Sequence, residues 1–373
     1  MLTKEENAEL TRVGPSTPCG ELLRRYWHPI AAAKELTPER PKKRVRLLGE
    51  DLVIFQEPDG GYGLVGEPCP HRGCSLYYGF LEDGGIRCPY HGWLYDAEGR
   101  CLEQPFEPPQ SMLKHTIHHT AYPVQKIHRL LFAYMGPAPA PFFPPWDVVV
   151  RQDGTHSIDV HPVIEANWLQ VMETNVDPVH NHFLHHYMRI YKGLPWHGDI
   201  ARDAMIEDLD FQVCEWGVIK RRVYGGPDAQ LEDGHPALFP NVLRHSGNGP
   251  IDLHWRTPID DTHSQTFWLG FEPSADGSIV EEEDDPPVEY IALKDEEGSF
   301  TMDTNASQDS MAWETQGALR DRTVEHLGAS DRGVVVFRNL LKEQIDKVRR
   351  GEEPMGIIRD PSKYPIISFS HRK

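Results

Sequence analysis

The sequence predicts an α+β protein with two domains: an all-β N-terminal domain, and a C-terminal domain that combines an antiparallel sheet with helices. The chain has 373 residues, more than a single hydrophobic core usually serves. Short β-type runs separated by turn residues dominate its first third, and long helical patterns appear only later. A proline-rich stretch between these parts, residues 136–145, can form neither a helix nor a central strand. We therefore expect domains at residues 1–136 and 137–373.

The N-terminal domain is predicted to begin with two short helices and to continue as strands. Helical spacing of apolar residues predicts helices over residues 3–12 and 22–28, the second ended by Pro29. Alternating patterns predict a hairpin and further strands, at residues 44–55, 62–65, 86–87, 93–95 and 130–135.

The C-terminal domain is predicted to be a curved antiparallel sheet with helices at its mouth. Strands are expected at residues 157–163, 208–224, 251–257 and 265–272. Helices are expected at residues 167–187, with a break near Pro178, and at 310–319 and 334–348. The sequence has no glycine-rich dinucleotide fingerprint, so it predicts no flavin or nicotinamide domain.

Composition excludes several classes of protein. The formal net charge of −19 disfavours nucleic acid and anionic membranes as partners. The charged N-terminal residues lack the apolar core of a signal peptide, and no apolar run is long enough to span a membrane. Cysteines outside the motif described next are scattered without a disulfide framework, at Cys19, Cys74, Cys101 and Cys214. A cytoplasmic protein with reduced thiols is therefore expected.

Two short loops each combine one cysteine with one histidine. The first contains Cys69 and His71, and after sixteen residues the second contains Cys88 and His91. Two cysteines and two histidines are also a common zinc set, but zinc fingers usually group cysteine with cysteine and histidine with histidine. One of each per loop suits a two-iron cluster in which one iron takes both thiolates and the other takes both imidazoles.

The residues around these ligands carry a family resemblance. Residues 69–73 (CPHRG) and 88–93 (CPYHGW) resemble the Rieske motif of the ring-hydroxylating oxygenases. Respiratory Rieske proteins carry a further cysteine in each loop and join the two in a disulfide. Cys74 occupies the first of these positions but Tyr90 the second, so Cys74 is expected to be a small buried thiol. The resemblance is therefore to the cluster of a soluble oxygenase.

A second motif follows in the C-terminal domain. Residues 177–185 resemble the Asp-x2-His-x4-His signature of the Rieske non-haem iron oxygenases. The resemblance implies that His180 and His185 bind iron and that Asp177 is the acid beside them. Two imidazoles and one carboxylate on one face of Fe(II) leave positions open for dioxygen.

Regular helix geometry favours a different pair of histidines. His182 and His186 are four residues apart and share a helix face, whereas His180 and His185 point about 140° apart. The resemblance therefore requires a local bulge, or a bend at Pro178.

The carboxylate ligand has to come from far along the chain. Residues 308–331 resemble the C-terminal segment of the phthalate dioxygenase-like branch, in which the acid after a glutamine binds iron. The resemblance implies Asp309, and Glu314 is the alternative. Residues 239–241 and 255–263 also match this branch, so the resemblance extends over nearly the whole chain.

The resemblance implies a Rieske [2Fe-2S] domain, a helix-grip (START-like) domain with mononuclear iron, and the role of terminal oxygenase (alpha) component. A separate reductase with flavin and an iron–sulfur centre would pass on electrons from NAD(P)H, and O2 would be the co-substrate. The expected reaction is ring dioxygenation of a phthalate-like aromatic carboxylate. O- or N-demethylation of a methoxylated aromatic is the alternative. An electron carrier that only binds a ligand is the alternative of another class.

Related oxygenases are head-to-tail rings in which the cluster of one subunit serves the iron of the next, so the resemblance implies a homotrimer or a trimer-based oligomer. Asp177 would accept the second ring N–H of His180 and a hydrogen bond from His91 of the neighbouring subunit. The alternative is that Asp177 only caps the helix after Pro178. Candidates to bind a substrate carboxylate are Arg189, Arg202, Arg221 and Arg222.

Overall fold

The computed structural model describes residues 1–194, 206–225, 230–246, 250–280 and 287–369. Contacts divide the chain into two compact units, one of which is Arg24–Ala140 and the other Met1–Leu23 with Pro141–Lys373. The N-terminal helices thus belong to the unit that contains the C-terminal residues, whereas the sequence placed them with residues 24–136. Hydrogen bonds between α1 and the C-terminal residues explain this placement. Lys342 donates to Glu6 Oε1 at 2.6 Å, and Asn7 donates to the Arg320 carbonyl at 3.2 Å.

The unit Arg24–Ala140 is built from three small antiparallel sheets, with strand orders β1-β10-β9, β2-β3-β4 and β5-β6-β7-β8. Its strands are β1 (Trp27–Ala32), β2 (Lys42–Leu47), β3 (Glu50–Gln56), β4 (Tyr62–Gly66), β5 (Phe80–Glu82), β6 (Gly85–Arg87), β7 (Leu94–Tyr95), β8 (Cys101–Glu103), β9 (Val124–Ile127) and β10 (Leu130–Tyr134). Buried apolar side chains from β3, β4, β6 and β7 form a core around Cys69 and Cys88.

Pro29 does not end a helix, which corrects the prediction. The helix before it ends at Leu23, and Pro29 lies in β1, at the edge of its sheet. The pairing register with β10 shifts just after Pro29. An edge strand at an irregularity tolerates proline, because the missing N–H removes no central ladder hydrogen bond.

The other unit is an eight-stranded sheet with helices, in the strand order β12-β13-β14-β15-β16-β17-β11-β18. All neighbouring strands pair antiparallel except β11 and β18. Its strands are β11 (Gly154–Ile164), β12 (Ile206–Cys214), β13 (Gly217–Tyr224), β14 (Gln230–Leu238), β15 (Val242–Ser246), β16 (Ile251–Pro258), β17 (Ser264–Pro273) and β18 (Val288–Tyr290). Its helices are α1 (Lys4–Thr11), α2 (Pro18–Leu23), α3 (Asp147–Val150), α4 (Trp168–Glu173), α5 (Met188–Lys192), α6 (Asn305–Glu314) and α7 (Arg332–Arg349).

In this unit the predicted strands and most of the predicted helices are present, but β14, β15 and β18 were not predicted. Helix α6 begins at Asn305, earlier than predicted, because the Thr304 side chain accepts a hydrogen bond from the Ser307 N–H and caps it. Among the described residues, none of the helices has both the length and the apolar character needed to cross a bilayer.

Buried ion pairs connect α4 with the C-terminal segment. Glu173 accepts from Arg322 at 2.8 Å and from Arg338 at 2.6 Å, and the Arg322 side chain is fully buried. Burial acts to raise the pKa of Glu173, but the two guanidinium groups outweigh it and hold the pKa below its usual value. Because α4 leads directly into the second motif, this network fixes the start of the segment that carries the histidines.

Candidate metal centres and the cavity beside one of them

The two cysteine-containing loops have the same backbone turn. The N–H of Gly73 donates to the carbonyl of Cys69 at 2.8 Å, and the N–H of Gly92 donates to the carbonyl of Cys88 at 3.1 Å. Both glycines are left-handed, with φ of +73° and +74°. A residue with a Cβ is strained in this conformation, which explains glycine at the same place in both loops. The two loops therefore share one local backbone conformation.

The four predicted cluster ligands lie together at the ends of these loops. Cys69 and Cys88 are both only 2% exposed. The rings of His71 and His91 are 4.6 Å apart between centroids, and His71 is stacked on Trp93 at 4.3 Å. The thiols thus point into the core while His71 is exposed. A cluster with thiolates on the inner iron and imidazoles on the outer iron fits this arrangement.

Cys74 differs in part from its prediction. Its thiol is free, as expected, but the residue is only half-buried and packs at the edge of the core around the cluster loops.

Tyr95 adds a hydrogen bond to one of the cluster ligands, and sequence reasoning missed it. Its hydroxyl lies 3.4 Å from the Sγ of Cys69, and the residue is fully buried. Burial raises the pKa of Tyr95, and the bond to Cys69 raises it further, so the phenol stays protonated. A protonated phenol beside a thiolate must be the donor.

We expect Tyr95→Phe to lower the reduction potential of the cluster. The hydrogen bond favours the reduced state, in which the sulfur carries more negative charge. A differential contribution of about 1 kcal/mol corresponds to roughly 40 mV for one electron. Redox titration followed by paramagnetic resonance measures the change, and Tyr90→Phe, which alters an exposed phenol in the second loop, is the control. Equal potentials for Tyr95→Phe and the wild type would contradict this role.

In the second unit, a π-helix brings His180 and His185 together. The segment Asn181–Tyr187 is a π-helix, in which residues five apart are hydrogen-bonded neighbours. The rings of His180 and His185 are 5.2 Å apart between centroids. His182 and His186 stack on each other at 5.5 Å and take no part in this cluster. The bulge that the family resemblance requires is present, and it brings together His180 and His185, the pair that regular helix geometry does not favour.

Asp309, on α6, completes a cluster with these two histidines. Its Oδ1 lies 3.3 Å from His185 Nε2 and 3.8 Å from His180 Nε2, and one ligand atom from each residue falls within 4.8 Å of the others. This Oδ1 is buried and has no hydrogen-bond donor among the described residues. Burial acts to raise the pKa of Asp309, but the two neighbouring histidines and Arg256 outweigh it and hold the pKa below its usual value. A buried anionic oxygen between two imidazoles fits a bound divalent cation.

The alternative carboxylate, Glu314, does not reach this cluster. Its side chain pairs instead with Lys294 at 2.7 Å.

Asp177 contacts both its own turn and His180. Its Oδ1 accepts from the Val179 N–H at 3.0 Å, which is the contact expected of a cap. Its Oδ2 lies 3.7 Å from His180 Nδ1, but the nearer acceptor for that nitrogen is the main-chain carbonyl of Asp177. The backbone thus orients the His180 ring, while the carboxylate lies beside it and is one-third exposed.

A cavity of about 260 Å³ opens beside the side chains of His180, His185 and Asp309. Its wall on the sheet is mostly cationic or imidazole in character and is formed by Lys220, Arg222, His235, Leu243, His245, Asp252, His254, Arg256 and Trp268. Of the four arginines predicted from sequence, Arg222 lines it, Arg189 and Arg221 do not, and Arg202 lies outside the described residues. Polar residues at every second position of β13 and β16 are the sequence signal that could have identified this wall.

Arg256 is the most enclosed cation of this wall. It is 3% exposed, and it forms no ion pair with any carboxylate in the described parts of the chain. Its Nη2 lies 3.5 Å from Asn175 Oδ1, its guanidinium covers the Trp313 ring at 5.1 Å, and its Nε has no acceptor among the described residues. Burial lowers the pKa of Arg256 to about 10, so the charge persists at neutral pH.

A β unit that presents two thiols and two imidazoles, and a sheet unit with a two-histidine, one-carboxylate cluster, together define an iron-dependent redox enzyme. Comparison with known proteins gives its family. Residues 26–123 match the Rieske [2Fe-2S] domain, and residues 292–370 match the domain described as LigXa C-terminal domain like.

Several relatives match nearly the whole chain, and two of them show its family. The 5,5'-dehydrodivanillate O-demethylase oxygenase subunit of Sphingobium sp. (strain NBRC 103272 / SYK-6) is 38% identical over an alignment of 370 positions, which covers 97% of this chain and 85% of the relative. The phthalate 4,5-dioxygenase oxygenase subunit of Pseudomonas putida is 30% identical over an alignment of 407 positions, which covers 99% of this chain and 92% of the relative. The chain therefore belongs to the Rieske non-haem iron oxygenases and is an oxygenase subunit.

A solved structure shows the same fold. The terminal oxygenase of carbazole 1,9a-dioxygenase from Nocardioides aromaticivorans IC177 superposes with a TM-score of 0.66 at 19% identity, over 92% of this chain and 100% of that chain. The predicted family, fold class and enzyme class are thus confirmed. So are the cofactors: a [2Fe-2S] cluster, mononuclear iron, O2, and electrons from NAD(P)H that a separate protein delivers.

Proposed function

We propose that this oxygenase hydroxylates an aromatic carboxylate by ring dioxygenation. In the proposal, Cys69, His71, Cys88 and His91 hold the cluster, and His180, His185 and Asp309 hold the mononuclear iron. When bound, that iron supplies the activation of dioxygen. The observation that carries the choice of substrate is Arg256, a buried cation without an ion pair among the described residues, in the wall of the cavity.

The physical argument concerns charge. A buried guanidinium is expensive unless an anion accompanies it, and Arg256 is compensated within the described chain only by the more distant Asp309. A substrate carboxylate would supply the missing anion through a charge-assisted, planar hydrogen bond. The aromatic ring of that substrate would then lie between the guanidinium and the mononuclear iron site formed by His180, His185 and Asp309. Trp268 and Leu243 provide the apolar part of the same wall.

The second candidate is O-demethylation of a methoxylated aromatic acid, favoured by the activity in the name of the Sphingobium relative. Both reactions would use the same residues and would differ only in which substrate carbon faces the iron. The electron-carrier alternative is not proposed, because a protein that only binds a ligand has no use for the cluster of His180, His185 and Asp309.

Assembly and location complete the proposal. We propose a homotrimer or a trimer-based oligomer in the cytoplasm, served by a reductase with flavin and an iron–sulfur centre. What supports this is the head-to-tail ring implied by the family resemblance, together with the scattered cysteines.

We expect Arg256→Gln to reduce kcat/KM for an aromatic acid by roughly 10- to 150-fold, the equivalent of losing one charged hydrogen bond. The loss should appear mainly in KM, because the contact is made in the substrate complex as well as in the transition state. The primary amide of the same acid carries no charge, so it should lose much less. Product formation with a surrogate reductase, measured by mass spectrometry for acid and amide in parallel, gives both values.

The matched control is Arg221→Gln, which removes an exposed guanidinium from β13 of the same sheet. It should leave the acid and the amide unaffected. Equal losses for acid and amide in Arg256→Gln would show that Arg256 does not bind the substrate carboxylate. Preference of the wild type for methoxylated acids, with release of formaldehyde, would favour the second candidate.

A further inference from the structure

Gln308 lies immediately before Asp309 and contacts His185, one of the two histidines proposed to bind the mononuclear iron. Its side chain is fully buried. Its Oε1 is 2.8 Å from His185 Nδ1, and its Nε2 is 3.0 Å from the main-chain carbonyl of Met302. One amide thus spans the space between a loop carbonyl and an imidazole.

These two contacts fix which group donates and which accepts in the hydrogen bonds that link the Met302 carbonyl, the Gln308 amide and the His185 ring. The Met302 carbonyl can only accept, so the amide nitrogen of Gln308 must face it. The amide oxygen must then face His185, and the Nδ1 of that ring must be the donor. His185 Nε2 is consequently the unprotonated nitrogen, and it points to Asp309 Oδ1 at 3.3 Å. This is the tautomer that a metal ligand needs.

The Met302 carbonyl, which accepts a hydrogen bond from Gln308, is itself held in place. Met302 has φ of +59°, a left-handed conformation that is unusual for a residue with a side chain. Its N–H donates to Ser307 Oγ at 3.1 Å, and that hydroxyl donates to the Leu293 carbonyl at 2.7 Å. The position of the Met302 carbonyl relative to Gln308 is therefore fixed by the surrounding hydrogen bonds, which also maintain the strained backbone of Met302.

The Nδ1 atoms of His180 and His185 are hydrogen-bonded to different kinds of partner. His180 Nδ1 bonds to the carbonyl of Asp177 in its own turn. His185 has no such partner in its own segment, and Gln308, 123 residues away in sequence, takes that role. Since Gln308 and Asp309 are adjacent on α6, one helical turn both supplies a carboxylate and orients the imidazole opposite it.

We propose that Gln308 is a positioning residue for the metal site: its neutral amide oxygen fixes the tautomer and ring orientation of His185. The inference rests on the proposed function, in which His185 and Asp309 are metal ligands. A partner in this position typically contributes 10- to 100-fold to metal affinity.

The test uses the full-length protein with its cluster intact, stripped of mononuclear metal and titrated with Co(II), whose visible absorption reports both affinity and ligand geometry. Gln308→Met keeps the volume of the side chain but removes the acceptor, and we expect it to weaken Co(II) binding by about 10- to 100-fold. Gln308→Glu keeps an acceptor toward His185 and should bind Co(II) more tightly than Gln308→Met, with the wild-type spectrum. If Gln308→Met does not fold, Gln308→Asn, whose shorter amide cannot span the two contacts, replaces it with the same expectation.

Gln316→Leu is the matched control, because Gln316 is an exposed glutamine just past the end of the same helix. Its Co(II) affinity should equal that of the wild type. Wild-type affinity in Gln308→Met, or affinity in Gln308→Glu no better than in Gln308→Met, would overturn the proposal, since the side chain would then act only by packing. A wild-type protein that binds no Co(II) beyond its cluster would instead overturn the proposed metal site.

Discussion

Asp309→Ala is expected to abolish binding of the mononuclear iron and to reduce turnover to below about 1%, since even outer-shell partners of a metal contribute 10- to 100-fold. The variant loses the only carboxylate that lies against both histidines in the described chain. Iron analysis should fall from about three to about two per chain, because the cluster keeps its own two irons. The visible and paramagnetic resonance spectra of the cluster should be unchanged.

His182→Ala and Glu314→Ala are the matched controls for this experiment. His182 lies in the same π-helix, and Glu314 is the acid at the end of the same helix as Asp309. Both variants should keep all three irons. Loss of iron from His182→Ala, with retention in His180→Ala, would show that the π-helix does not define the ligands and that the proposed site is wrong.

Asp177→Asn is expected to reduce electron transfer from the reduced cluster to the mononuclear iron by about 10- to 100-fold, the range for an outer-shell carboxylate of a metal site. We propose that the Asp177 carboxylate beside His180 also accepts from His91 of the neighbouring subunit. The metal content and the oligomer should be preserved. Single-turnover oxidation of the pre-reduced cluster, with substrate and oxygen present, measures the rate.

A purely structural role for Asp177 makes a different prediction. The bond from the Val179 N–H to Asp177 Oδ1 is a cap, and asparagine can replace it with little loss. On that account Asp177→Asn would be slightly less stable and would transfer electrons at the normal rate for each folded site. An unchanged single-turnover rate would therefore leave capping as the function of this residue.

The sequence by itself determined the chemistry of the two metal centres. One cysteine and one histidine in each of two loops already distinguishes a mixed-ligand iron cluster from a zinc finger, because the grouping of ligands is a property of the local chain. The glycine four residues after each cysteine is part of the same local signal, since the turn there is left-handed. Six strands of the unit Arg24–Ala140 also followed from alternation, which depends only on neighbouring residues.

The tertiary structure decided which histidines come together and what surrounds them. Regular helix geometry favours His182 and His186, and only the π-helix, which packs against α6, turns His180 and His185 toward Asp309. The hydrogen bonds of Gln308 and Tyr95 join residues 123 and 26 positions apart, so no local pattern predicts them. The same reason applies to Arg256, whose place in the cavity depends on the pairing of distant strands. Local pattern therefore specifies the ligand types, and long-range packing specifies their geometry.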